Sequence, residues 1–183
     1  MKKYDVLVST LFRSYNAGAY LQAFALQEFL KKNNLRSAFV ETYDIKSRLK
    51  TYRFFYAKSN RNIKAFLHNV FLLINFCFAR RKFKKYWGFG NAKFGIVGSD
   101  EIWNVRHRSF SPSPRFYGLD LPVQKLISYA PCSGNVKVEE LVESEKKLYR
   151  NIVKFTAVSV RDQSTFNVVS KFIPSDKVEI VLD

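Results

Sequence analysis

Tyr4-Asp5-Val6-Leu7-Val8-Ser9 is a short β-rich run that passes through the polar turn Arg13-Ser14-Tyr15-Asn16-Ala17-Gly18 into a segment of helical periodicity. Over residues 19–32 the apolar positions Leu21, Ala25, Leu26, Phe29 and Leu30 recur at helical spacing, and Asn33-Asn34 supplies a stop. Residues 36–43 read as the next strand. Strand, helix, strand in this order is the βαβ unit of a parallel sheet, whose crossover needs a connection of this length. Further short apolar runs at 93–97, 125–130, 156–160 and 178–182 extend the sheet, and a helix pattern over 138–155, with Leu141, Leu148, Ile152 and Val153 on one side, joins two of them. The expected fold class is α/β, a Rossmann-like parallel sheet flanked by helices.

The chain has 183 residues, enough for one good domain and too few for two ordinary ones, so 1–183 is expected to form a single domain. With 47% hydrophobic and 16% aromatic residues it is neither disordered nor of low complexity. Cys77 and Cys132 lie far apart with no CxxC pair, and His68 and His107 give no metal spacing, so neither a disulfide framework nor a zinc site is indicated. The opening residues carry no signal-peptide pattern, and a reducing cytoplasm is the expected compartment.

A basic, apolar insertion at about 45–90 interrupts the α/β rhythm. The net charge is +16, and no acidic residue stands between Asp44 and Asp100, where Lys46, Arg48, Lys50, Arg53, Lys58, Arg61, Lys64, Arg80, Arg81, Lys82, Lys84, Lys85 and Lys93 all fall. Such a field attracts polyanions, while a solvated basic surface is the plain alternative. Within the insertion, residues 63–79 hold Phe66, Leu67, Val70, Phe71, Leu72, Leu73, Ile74, Phe76 and Phe78, apolar almost all round, together with Lys64, His68, Asn69 and Asn75. That is shorter and more polar than the ~20 apolar residues of a spanning helix. Two readings are open: residues 61–85 lie in a membrane interface, or the helix is buried against the sheet or a partner subunit.

The ligand of an open α/β sheet sits beyond the carboxyl ends of its strands. Three turns are expected there. Gly95-Ile96-Val97-Gly98-Ser99-Asp100-Glu101-Ile102-Trp103-Asn104 runs from an apolar strand into a small, carboxylate-bearing turn. Asp100 there either orients a hydroxyl and moves a proton, or caps the helix that follows. Trp103 is either core or a substrate platform. Val158-Ser159-Val160-Arg161-Asp162 delivers an Arg whose planar fork suits phosphate or carboxylate, or else pairs with Asp162. Ser128-Tyr129-Ala130-Pro131-Cys132-Ser133-Gly134 is the third turn, with Cys132 expected as a structural thiol. At the first helix start, Asn16-Ala17-Gly18 is either an anion site or an ordinary cap.

In order and spacing these blocks resemble the polysaccharide pyruvyl transferase family: residues 16–27, Ile96-Val97-Gly98-Ser99-Asp100-Glu101-Ile102-Trp103-Asn104, Ile127-Ser128-Tyr129-Ala130, Val158-Ser159-Val160-Arg161-Asp162 and Val181-Leu182-Asp183. The resemblance spans nearly the whole chain apart from the insertion. It implies one half of a two-domain, glycosyltransferase-B-like fold, with pyruvyl transfer from phosphoenolpyruvate to hydroxyls of a cell-surface glycan or its lipid-linked precursor, forming a ketal. Phosphoenolpyruvate is then a donor substrate and no cofactor is implied. The implied roles are catalytic for Asp100 and Arg161, and substrate-binding for Asn16, Gly18, Gly98, Ser99, Trp103 and Ser128. A second domain would follow Asp183 with further Arg and His residues. The sequence stops there, so the expectation is a chain that lacks half of the cleft and is inactive alone.

Glu101 stands where the family commonly has Gln, and Pro131-Cys132-Ser133 replaces a small residue, a Ser and an aromatic. Two other functions compete. One is a nucleotide-sugar glycosyltransferase-like domain. The other is a non-catalytic polyanion-binding module, with Tyr52, Phe54, Phe55 and Tyr56 available for stacking, although no specific nucleic-acid motif is present. A redox Rossmann role is poorly supported, since no GxGxxG follows the first strand.

Overall fold

Val6, Leu7 and Val8 alternate sides of the first strand yet all are buried, the signature of a strand covered on both faces. In the computed structural model this strand, β1 (Tyr4–Ser9), lies inside a parallel sheet ordered β2 (Ser37–Phe39), β1, β3 (Ala92–Asp100), β4 (Val123–Pro131). The structure describes residues 4–42, 45–55, 62–108 and 110–182, the side chains of Ile45, Phe54 and Phe55 excepted. Val8 stands opposite Phe39 on one side and Ile96 on the other, and Gly98 stands opposite Tyr129. The Rossmann-like α/β class read from the sequence is present. The chain leaves β1 in one direction to make β2 and returns on the other side as β3, so the switch point lies between β1 and β3.

A second parallel pair, β5 (Val158–Val160) and β6 (Val178–Ile180), continues the sheet beyond β4. Thr156 N–H donates to the Leu126 carbonyl at 2.7 Å, and Ser128 N–H to that of Ala157 at 3.1 Å. Next along the strands side chains join the pairing. Ser128 Oγ donates to the Ser159 carbonyl at 2.8 Å, Ser159 Oγ donates to the Ser128 carbonyl at 2.8 Å, and Ser159 N–H reaches Ser128 Oγ at 3.0 Å.

Helix α1 (Ala17–Lys32) lies on one face of the sheet, with Ala23 and Leu30 meeting Val6, Val8 and Ile96. Its buried positions are Ala19, Ala23 and Leu30, whereas Leu21 and Phe29 of the expected apolar stripe are 60% and 63% exposed. Small alanines let the helix sit close to the sheet and rotate its large apolar residues outward. There Leu21, Ala25 and Phe29, with Ile127 and Tyr129 of β4, line a groove of about 780 Å³. The opposite face carries the larger core, where Tyr149 of α4 (Glu143–Arg150) and Val168 and Val169 of α5 (Gln163–Val169) pack with Trp103, Val158 and Val160. The helix expected over 138–155 is broken into a 3-10 turn, α4 and a second 3-10 turn, and Val153 is exposed.

The insertion splits into α2 (Ile45–Phe55) and α3 (Ile63–Ala79), followed by the 3-10 turn Arg80–Lys82. Its last part belongs to the core. Phe83 packs against Phe12 and Phe39, and the chain then runs beside β2, with Phe39 N–H donating to the Lys84 carbonyl and Tyr86 N–H to that of Phe39, both at 2.8 Å. Glu41, just after β2, ties this region together by ion pairs to Arg13, Arg48 and Lys85. Tyr52 packs edge-on to Tyr15 at 6.5 Å, while the Phe54 and Phe55 side chains and Tyr56 lie outside the described residues.

Two glycines of the expected site differ in what they demand. A β-carbon on Gly98, which has φ +136°, would sit 1.9 Å from the Tyr129 carbonyl oxygen, whereas one on Gly18 would meet only Asn16 Oδ1 at 3.3 Å. Gly98→Ala is therefore expected to lower stability by about 3 kcal/mol or more, and Gly18→Ala to leave it within about 1 kcal/mol of the unaltered protein. Equilibrium unfolding of the two variants side by side checks both.

Candidate active site

The carboxyl ends of four strands are linked in series. Thr10, just past β1, donates through Oγ1 to the Ser99 carbonyl at 3.4 Å. Cys132 N–H, past β4, donates to the Asp100 carbonyl at 2.9 Å, and Arg161 N–H, past β5, donates to that of Pro131 at 3.2 Å. Asp100 and Arg161 therefore stand on the same edge with Cys132 between them. The Arg161 guanidinium acts on both the Cys132 thiol and the Asp162 carboxylate.

Asp100 has φ +75°, a left-handed conformation that a residue with a β-carbon adopts at a cost of order 1 kcal/mol. Its Oδ1 accepts the Glu101 N–H at 2.7 Å, so the carboxylate folds over its own turn. No regular helix follows; the chain makes a turn and places Glu101 Oε2 3.1 Å from His107 Nε2. His107 stacks on Phe110 with ring centroids 4.2 Å apart. Burial lowers the imidazole pKa from its ordinary value, and Lys50 of α2 adds to this; Glu101 and Asp100 pull the other way without overcoming it. Gly134 closes the far side, where a β-carbon would come within 2.5 Å of Glu101 Oε1. The pairing of Glu101 with His107 was missed in the sequence. The two lie six positions apart across an irregular turn, which no periodicity marks.

The neighbouring loop is held by side chains. Asp162 caps α5 by accepting from Thr165 N–H at 2.8 Å and Thr165 Oγ1 at 2.9 Å. Ser133 N–H in turn donates to Thr165 Oγ1 at 2.9 Å. Burial raises the Asp162 pKa, but the Cys132 thiol, Thr165 and Arg161 outweigh it and leave the carboxyl below its ordinary value. For Cys132 burial and Asp162 prevail over Gly134 and Arg161, so its pKa is raised and the sulfur stays a thiol at neutral pH. The expected structural role of Cys132 fits this setting.

The remaining expected residues separate. Asn16 is an ordinary cap, its Oδ1 accepting the Gly18 N–H at 2.9 Å, so that amide is occupied by the chain itself. Ser99 is buried and lines the groove beside Leu21 and Tyr129. Gly98 is explained by the close approach of β4. Trp103 is 0% exposed and offers a ligand no surface: its indole N–H donates to the Phe116 carbonyl at 2.7 Å, its ring stacks on Tyr117, and its carbonyl accepts from the hydroxyls of Tyr117 and Tyr149. Burial pushes both phenols above the ordinary tyrosine value, so these donors stay protonated. Ser128 is buried, and its hydroxyl is engaged with Ser159.

The Glu101–His107 pair has a directional consequence. Glu101→Gln removes an influence that raises the imidazole pKa, so His107 is expected to titrate below its already lowered value, and the opposite displacement would contradict the geometry. A pH titration of the His107 ring signals by NMR checks this.

A family model described as polysaccharide pyruvyl transferase matches residues 16–183. Searches among curated proteins and among solved structures find no match. The matched span begins at the α1 cap and takes in the Asp100 turn, the Cys132 loop and the Arg161 strand end. The chain thus belongs to the polysaccharide pyruvyl transferase family, a family of transferases.

Proposed function

We propose that this chain binds phosphoenolpyruvate at the carboxyl edge of its sheet and takes part in moving the pyruvyl group onto hydroxyls of a cell-surface glycan or its lipid-linked precursor, in the cytoplasm near the membrane. The observation that carries the reading is the placement of Asp100 and Arg161 at the same edge of the sheet, on either side of the β4 end that bears Cys132. Phosphoenolpyruvate presents a phosphate and a carboxylate on one small carbon frame. The planar fork of Arg161 suits either anion.

In the reaction, a sugar hydroxyl oxygen bonds to the central carbon of the enol while the methylene carbon takes up a proton. A second hydroxyl then replaces the phosphate at that carbon, giving a cyclic ketal and inorganic phosphate. Two hydroxyl protons are lost; one is gained at the methyl group and the other leaves with the products. Asp100 is the group assigned to the hydroxyl proton. His107, made less basic by burial and standing beside Glu101, is a neutral imidazole at neutral pH and a second group able to accept a proton.

Asp100→Asn is expected to lower pyruvyl transfer by roughly 10²–10⁴-fold, the usual scale for loss of a general acid or base. The assay measures phosphate release with a glycan acceptor, on this chain and on any longer product of its gene. Separately, phosphoenolpyruvate is expected to raise the melting temperature and Arg161→Ala to abolish that rise. Stabilisation by nucleotide sugars instead would replace this reading with a glycosyltransferase-like one, and stabilisation by single-stranded nucleic acid alone with a polyanion-binding module.

A further inference from the structure

Helix α3 stands out because its large apolar residues face away from the protein. Ile63, Leu67, Phe71, Ile74 and Phe78 are exposed, with Leu67 at 60% and Phe71 at 63%. At 100° per residue their spacings of four, four, three and four keep them on one outward stripe. Lys64, His68 and Asn75 follow one flank of that stripe. On the inward side Asn69 is buried, Phe76 meets Tyr15 and Tyr20 edge-on, and the Arg80 guanidinium lies 4.1 Å from the centre of the Tyr15 ring. The expectation of a helix buried against the sheet is not met. The helix is fastened along one side and bare along the other.

Charge identifies what covers the bare side. No carboxylate lies between Asp44 and Asp100, and the stripe ends at exposed Arg81 and Lys82, with Arg81 5.0 Å from the centre of the Phe78 ring. A second copy of the chain would bring two such basic surfaces together. Nucleic acid would leave the apolar stripe in water. An anionic bilayer offers both an apolar layer and negative headgroups at the same depth. Residues Ile63–Lys82 form a 20-residue helical segment in which 18 successive residues have a mean hydropathy of 1.3, long and apolar enough to cross a membrane by length and composition. A span, however, would have to tear away the contacts of Asn69, Phe76 and Arg80.

We propose that α3 is a membrane-docking helix that lies flat in the interface of an anionic bilayer, with Ile63, Leu67, Phe71, Ile74 and Phe78 inserted and Arg81 and Lys82 at the headgroups. The proposal goes beyond the transferase reading and holds whichever donor the sheet edge binds. Its test is co-sedimentation of the unaltered chain with vesicles of phosphatidylcholine alone and of phosphatidylcholine with phosphatidylglycerol.

Binding is expected only with phosphatidylglycerol, weakening as salt rises. Leu67→Asp with Phe71→Asp is expected to abolish it, and Arg81→Glu with Lys82→Glu to weaken it by roughly tenfold or more. These side chains are on the surface, and matching thermal unfolding and phosphoenolpyruvate response would show the variants folded. Phe71→Leu, which keeps the stripe apolar, should still bind. The proposal is overturned if the unaltered chain ignores anionic vesicles, if the aspartate variant binds as well as the original, or if the stripe instead drives concentration-dependent self-association. Release from vesicles by alkaline carbonate supports the flat placement, and retention would overturn it in favour of a span.

Discussion

At Gly98 the backbones of β3 and β4 come together so closely that a β-carbon would lie 1.9 Å from the Tyr129 carbonyl oxygen. That contact determines how β3 leaves the sheet. Two residues later Asp100 takes a left-handed conformation, its carbonyl receives the Cys132 N–H, and the chain turns inward to bury Trp103. The indole and carbonyl of Trp103 are held by Phe116, Tyr117 and Tyr149, so the turn bearing Asp100 and Glu101 rests on a rigid floor.

Much of the sheet was legible in the sequence, because buried parallel strands are short runs of branched and aromatic residues and residues 4–9, 93–97 and 125–130 advertise themselves this way. The strand ends bearing Asp100 and Arg161 were legible too. What the sequence concealed depends on tertiary neighbours. Trp103 is amphipathic enough to suit a platform or a core, and only its ring and carbonyl partners decide between them. Leu21 and Phe29 have the period of a buried face, but Ala19 and Ala23 make the closer fit to the sheet. His107 carries no local mark; it becomes part of the site through an irregular turn and a ring stacked on Phe110.

The insertion is neither a simple appendage nor part of the sheet's carboxyl edge. Its end supplies Phe83 to the core and a run alongside β2, its first helix brings Lys50 within electrostatic reach of His107, and its second helix faces outward. One excursion of the chain thereby connects the core, the electrostatics of the site and the outer surface. Lys50, one of the basic residues of the insertion, adds to the burial that makes His107 less basic.

The hydroxyl pair between β4 and β5 acts as a register lock. Neighbouring residues of a strand point to opposite faces, so a slip of one position would turn Ser159 away from Ser128 and break every bond that the two hydroxyls make. Arg161 lies two residues beyond Ser159 and rides on the same strand. The placement of its guanidinium along the sheet edge is therefore indexed by two small side chains 31 residues apart, neither of which needs to touch a ligand.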